Sequence, residues 1–301
     1  MKSPLVARTG QTKRGHPVSI NLAPDPDLRR HIARLFITIV DQPDDAILED
    51  FIVSETGFIR ILLTGEWETL EDGVWRGYRG SVLFGAQSRP FRCRVKGAFA
   101  MCGFAILPGA WRSLTGIDHR ALADRVKRLV GPIGDRLDQA GDDPWSHDAT
   151  FAALNSAVRT WVEVTGGEID SVAERFDQRI HLDPTRSVAD LAREIAVTPR
   201  TLDRRIQTSF GLSPKMVLRR ARFLDMAATV RGIAVPDEEM LASLRFYDQS
   251  HQVREFRHFT GMTPGAFQRA STPLFNLALE SRQRRKYELA DRTGERVPWL
   301  A

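Results

Sequence analysis

Residues Ser187 to Gly211 read SVADLAREIAVTPRTLDRRIQTSFG, and this stretch decides how the rest of the chain is organised. Ser187 is placed to N-cap a first helix, with Asp190 three residues on as in a capping box. Val188, Leu191, Ala192 and Ile195 share one face of that helix. Thr198 caps a second helix, and Pro199 takes its first position, where the missing N–H costs nothing. Val197 and Leu202 are placed as a hydrophobic staple, and Gly211 can supply the left-handed residue that ends the helix. Together these signals predict a helix-turn-helix.

The second helix has an inner face, Leu202, Ile206 and Phe210, and an outer one with Arg200 and Arg204. A basic pair there is either a solvated face or one that meets base edges in a major groove, where an arginine fork grips the two acceptors of guanine. A repeat weighs toward the latter. Thr198, Arg204, Gly211 and Pro214 recur fifty residues on as Asp248, Arg254, Gly261 and Pro264, and Ile206 as Phe256. Ser250 and Arg254 then take the places of Arg200 and Arg204, giving two reading heads joined by a helix from Pro214 to about Val230. Such a spacer can set the heads about one DNA turn, ~34 Å, apart.

Charge agrees with that reading. The 301 residues carry a formal net charge of +5, unevenly spread. Residues 184–301 hold 20 Lys/Arg against 13 Asp/Glu, whereas residues 1–183 hold 23 against 25. A basic C-terminal part suits a polyanion. Cys93 and Cys102 make no disulfide framework, and a reducing cytoplasm is the expected location. No apolar run approaches the ~20 residues of a membrane span, and the first 21 residues lack a secretory apolar core.

Upstream, residues 1–25 are expected to be loose, with an effector-sized domain over 26–182. From Ile47 to Leu107 short apolar runs alternate with glycine turns, as in IRILLTG (59–65), SVLFG (81–85), FRCRV (91–95) and FAMCGFAIL (99–107). This predicts a β-barrel or sandwich able to enclose a ligand. A hairpin turning at Lys96-Gly97 would put Cys93 and Cys102 on one face. Helical patterns follow at Gly109–Leu114, Arg120–Leu129, Asp148–Val164 and Glu168–His181, with a boundary at Leu182-Asp183-Pro184.

The C-terminal residues from Ser187 to Arg269 resemble the DNA-binding domain of the AraC/XylS family of bacterial transcription regulators. FYDQSHQVREFRHFTGMTPGAF (246–267) is similar to its second motif, and LSPKMVLRRARF (212–223) to its connecting helix. GAQSRP (85–90) and FAILPGAWRSLTG (104–116) resemble the cupin-like sensor domain of some members. The resemblance implies an α+β chain: a cupin-like barrel with following helices over 26–182, then an all-α domain over 183–272 with two helix-turn-helix motifs, then a basic tail over 273–301. It implies base reading by Arg200 and Arg204, and by Gln249, Ser250 and Arg254. Thr198, Arg205, Lys215 and Arg220 are candidate phosphate contacts. The partners expected are double-stranded DNA, an unidentified small-molecule effector, RNA polymerase and a second copy of the chain. The second motif departs from the family pattern at Arg245, Gln252 and Leu241, and the first, more mildly, at Ala196, so the first should supply most of the sequence discrimination.

Glu55, Arg60, Gln87, Arg89 and Trp111 are the candidate effector contacts. The strand region from Ile47 to Leu107 contains no histidine, which leaves a cupin-type metal without its imidazole ligands. No phosphate-binding glycine loop or nucleophile elbow is present, so no catalytic residue, metal or cofactor is expected. Two other readings stay open: a barrel that only dimerises, and an enzyme with an appended DNA module. In the tail, Arg282, Arg284, Arg285 and Lys286 read as either phosphate contacts or a solvated helix.

Overall fold

Two long strands shape the N-terminal half. In the computed structural model, which describes residues 10–11, 17–141, 146–235 and 249–294, β5 is Phe58–Glu71 and β8 is Phe91–Ile106. They pair with each other along most of their length. Around them lie β1 (Gly10–Gln11), β2 (Val18–Leu22), β3 (Ile32–Val40), β4 (Ile47–Ile52), β6 (Val74–Gly77), β7 (Ser81–Phe84) and β9 (Val126–Arg128). The antiparallel path runs β1-β2-β3-β8-β5-β7-β9, with β4 on β8 and β6 on β5.

Both long strands bend at glycine. Gly65 has φ +84° and Gly97 has φ +62°, and the register of β5 on β8 shifts on either side of Thr64. A Cβ on Gly65 would lie 2.4 Å from the carbonyl oxygen of Ala98. The bend lets the sheet curl over one of its own faces. Phe36, Phe58 and Met101 there meet Trp67, Phe91 and Val95 from the other end. The alternate residues Ile37, Ile59, Cys102 and Phe104 turn to the outer face, where helices cover them. Those helices are α1 (Pro108–Thr115), α2 (Pro132–Gln139) and α3 (His147–Thr165), which bring Trp111, Leu137, Leu154 and Trp161.

The expected hairpin at Lys96-Gly97 is not there. Gly97 bends one continuous strand, and Cys93 and Cys102 fall in different cores. Each thiol is buried and pushed up to about 12 by desolvation. The helix expected over Arg120–Leu129 is instead a 3-10 turn, His119–Ala121, followed by the edge strand β9. Asp124 breaks it: its φ is +56°, and its carboxylate accepts from the N–H and hydroxyl of Ser88. The N-terminal stretch is not loose throughout, since β2 pairs with β3 over its whole length.

The second half is helical: α4 (Ser171–Leu182), α5 (Val188–Glu194), α6 (Pro199–Phe210), α7 (Pro214–Val230), α8 (Gln249–Thr260), α9 (Pro264–Arg269) and α10 (Pro273–Thr293). Ala173, Phe176 and Ile180 of α4 share a core with Leu191, Leu202, Ile206 and Phe210. The packing unit of the first motif therefore starts at α4, ahead of the break at Leu182-Pro184. α7 closes two cores. Val217 and Leu218 complete the first, while Phe223, Leu224 and Ala227 join Phe256, Phe259, Phe267 and Phe275 in the second. Phe223 stacks on Phe259 at 4.7 Å and meets Phe256 edge-on at 5.4 Å.

The tail is not a solvated basic helix. Phe275, Leu279, Arg282, Gln283 and Lys286 of α10 are buried. Asp50 of β4 is drawn in with it, accepting from the N–H groups of Leu274 and Phe275 at the start of α10. No described helix is long and apolar enough to cross a membrane.

Candidate nucleic-acid interface

The caps read from sequence form as hydrogen bonds. Ser187 accepts from the N–H of Asp190, and Thr198 from that of Thr201. The turn between α5 and α6 passes through Ala196 at φ +59°, a conformation that costs a side chain about 1–2 kcal/mol. α6 buries Leu202, Ile206 and Phe210 and exposes Arg200 and Arg204. A shallow surface groove runs along this outer face, lined by Arg200, Thr201, Asp203, Arg204 and Gln207, with Arg120 of the N-terminal half beside them. Asp203 accepts from Gln207 one turn on, at 2.6 Å. Thr201, Asp203 and Gln207 escaped the sequence reading, although steps of three and seven from Arg200 place the last two on its face.

α8 repeats the arrangement. Ser250 and Arg254 are exposed, Phe256 and Phe259 buried. Gly211 and Gly261 both end their helices at φ +74°. Asp248, Arg245 and Leu241, and the side chain of Gln249, lie outside the described residues.

Of the candidate phosphate contacts, Lys215 and Thr198 are exposed. Arg205 is half exposed and lies 3.3 Å from Asp170, the N-cap of α4. Arg220 contradicts the expectation: it is fully buried. Its guanidinium donates to the carbonyls of Gln87 at 2.9 Å and Glu55 at 2.6 Å, both on the barrel. α7 is apolar on more than one face, the mark of an enclosed helix, and that was the available signal.

One loop of the barrel makes a run of contacts with the helical domain. The N–H of Ala86 donates to His119 Nε2 at 2.9 Å, which leaves Nδ1 carrying the proton and donating to the carbonyl of Ser209 on α6. Gln87 accepts from Arg220 of α7, and Ser88 accepts from His258 Nε2 of α8 at 2.9 Å. Three consecutive residues thus hold three helices. This corrects Gln87 as an effector contact: its side chain is occupied with the N–H of Ser54 and the carbonyl of Gly85. Arg89 is exposed and lines no cavity with the others. Trp111 is also corrected. It is fully buried, its indole N–H donates to Ile117, and its ring stacks on His119 at 3.6 Å.

Glu55 and Arg60 do line a cavity of about 170 Å³ at the barrel's inner face, roofed by Leu274, Leu277 and Ser281 of α10. Arg34 joins them from β3. Desolvation pushes both Arg34 and Arg60 down to about 10. Neither makes an ion pair among the described residues, and Arg60 Nε has no hydrogen-bond partner. Glu55 instead belongs to a buried network. Desolvation would raise its carboxyl, yet Arg282, His181 and Arg220 hold it well below the usual range. Arg282 Nε is 2.8 Å from Glu55, and its Nη1 donates to Asp225 of α7. Lys286 Nζ reaches both Asp225 oxygens at 2.7 and 2.8 Å.

Residues 191–270 match the family model described as "Helix-turn-helix domain". They form a helix-turn-helix domain of the AraC type. No curated protein matches the sequence. Among solved structures, ToxT from Vibrio cholerae is similar at 11% identity and TM-score 0.45, covering 78% of this chain and 97% of that one. ToxT bound to an unsaturated fatty acid gives 11%, 0.43, 78% and 94%. The AraC-like transcriptional activator CuxR gives 19%, 0.31, 64% and 76%. The AraC-type domain supports a DNA-binding role in transcription regulation. Among the described residues, no group of three or more His, Cys, Asp or Glu is placed to hold a metal ion.

Proposed function

We propose that the chain reads base edges with Arg200 and Arg204 of α6 and with Ser250, Arg254 and Gln249 of α8, under control of a small molecule held by its barrel. The observation that carries the reading is the outer face of α6. It keeps two arginines in solvent along a groove, while the inner face is fully packed. Thr198, Arg205 and Lys215 flank it as phosphate contacts. Arg204→Ala is expected to cost about 1–3 kcal/mol of binding and to relax preference at one base pair. Titrating the DNA upstream of the protein's own gene, with each base pair varied, checks this; unchanged affinity and preference would remove Arg204 from the reading set.

The cavity supports an anion with an apolar body as the signal. Arg34 and Arg60 carry the charge, and Phe36, Phe58, Met101 and Leu277 supply the apolar wall. A cavity of about 170 Å³ is far larger than the 10–15 Å³ that one water needs. Octanoate should raise the melting temperature, octanol should not, and Arg60→Met should lose the response. A response that survives in Arg60→Met places the anion elsewhere.

A further inference from the structure

We infer that the barrel domain itself touches DNA, through Arg120, which serves as a phosphate contact beside the first reading head. This goes beyond the reading above but rests on α6 being a DNA-contacting helix.

Four observations converge. Arg120 lies on the 3-10 turn His119–Ala121, outside the helix-turn-helix domain, yet it lines the same groove as Arg200, Thr201, Asp203, Arg204 and Gln207. A duplex seated on Arg200 and Arg204 presents phosphates at the rim of its major groove, and phosphate contacts set register rather than sequence. Second, the position of Arg120 relative to α6 is fixed. The neighbouring His119 donates to Ser209 at the end of α6, accepts from Ala86 on the barrel, and stacks on Trp111. Gly211 closes the contact: a Cβ there would lie 3.0 Å from the His119 carbonyl oxygen. Third, the guanidinium is already oriented. Asp118 takes Nε at 3.0 and 3.1 Å and Nη2 at 2.5 Å. Those bonds leave Nη1 for another acceptor, since an arginine has five N–H donors. Fourth, the side chain is in solvent, so a phosphate can reach it without any rearrangement of a core.

Asp118 then has a second role. Its carboxylate orients Arg120 but also repels an approaching phosphate, so it tempers the contact. Removing the arginine and removing the carboxylate charge should move affinity in opposite directions, which a purely structural role for the turn does not produce.

The test uses the full chain and two duplexes of about 40 base pairs: one from upstream of its own gene and one of random sequence. Fluorescence anisotropy is followed from 50 to 300 mM NaCl. Arg120→Ala should weaken both duplexes by the same factor and reduce the slope of log K against log salt by about 1. Asp118→Asn keeps an acceptor for the Arg120 N–H but not the charge, and should tighten both. Lys96→Ala, at an exposed lysine on β8, removes the same unit of charge away from the groove and is the control. Arg120→Ala matching Lys96→Ala in affinity and slope, with wild type binding normally, overturns this inference alone. Wild type that binds neither duplex at 50 mM overturns this inference and the reading beneath it together.

Discussion

Asp225→Ala should lower the stability of the folded chain by about 3–5 kcal/mol, the range for unpairing a buried charge. Asp225 is fully buried in the middle of α7. Its carboxylate faces the Arg282 guanidinium, the Lys286 ammonium and the Gln283 amide, all from α10. Desolvation, with the nearby Arg282 charge adding to it, pushes Lys286 down to about 8, and Asp225 is the largest opposing influence. Alanine would take the Asp225 carboxylate away from that ammonium and leave Arg282 with the Glu55 carboxylate and the Ala221 carbonyl. Replacing both partners with apolar side chains, Asp225→Leu with Lys286→Met, should cost far less than the single change, because no lone charge is then buried. Urea denaturation of the three proteins measures the difference. A single variant within about 1 kcal/mol of wild type would mean that water reaches the network. The effect should extend beyond α10. α7 closes the cores of both motifs, and α10 roofs the cavity, so Asp225 lies where the barrel and both reading heads share a helix.

The parts of the molecule legible in sequence are those held by local interactions. Ser187, Thr198 and Gly211 cap as their spacing predicts, because a cap is settled within three or four residues of its helix. The inner and outer faces of α6 were likewise legible from periodicity. What could not be read was set by distant partners. Arg220 and Arg204 are both arginines on helices with mixed faces, and only the barrel carbonyls at Gln87 and Glu55 bury the former. Arg282 and Lys286 look like tail charges until α7 brings Asp225 to them. Gly97 signals a turn in sequence, and it bends a strand because β5 carries Gly65 opposite the same bend. The effector candidates divide in the same way. Glu55 and Arg60 reach the cavity, whereas Gln87 and Trp111 serve the seam between the halves.

That seam should make stability depend on pH, with a sign fixed by His119. Burial pushes its imidazole down to about 3, against an unperturbed value of 6.5; the carbonyl of Ser209 opposes the shift, and nearby Arg220 adds to it. Above about pH 6.5 the ring is neutral in both folded and unfolded chains, and it adds no pH dependence. Below 6.5 the unfolded chain takes up a proton that the folded one refuses until about pH 3. Stability should therefore fall by about 1.4 kcal/mol per pH unit across that window, or about 2.7 kcal/mol at pH 4.5. Asp50 works in the opposite sense: desolvation raises its carboxyl from 3.8 to about 6, so folding favours its protonated form and stability from this group grows as pH falls through 6. The two contributions partly cancel in the wild type, and the total curve alone does not isolate the histidine. The difference between wild type and His119→Gln does, because Asp50 is common to both. Urea denaturation at half-unit steps from pH 7 to 4.5 should show the variant losing less stability than wild type, by an amount that widens steadily below 6.5. Parallel curves would mean that His119 accepts a proton in the folded chain, and that its hydrogen bond from Ala86 gives way when it does.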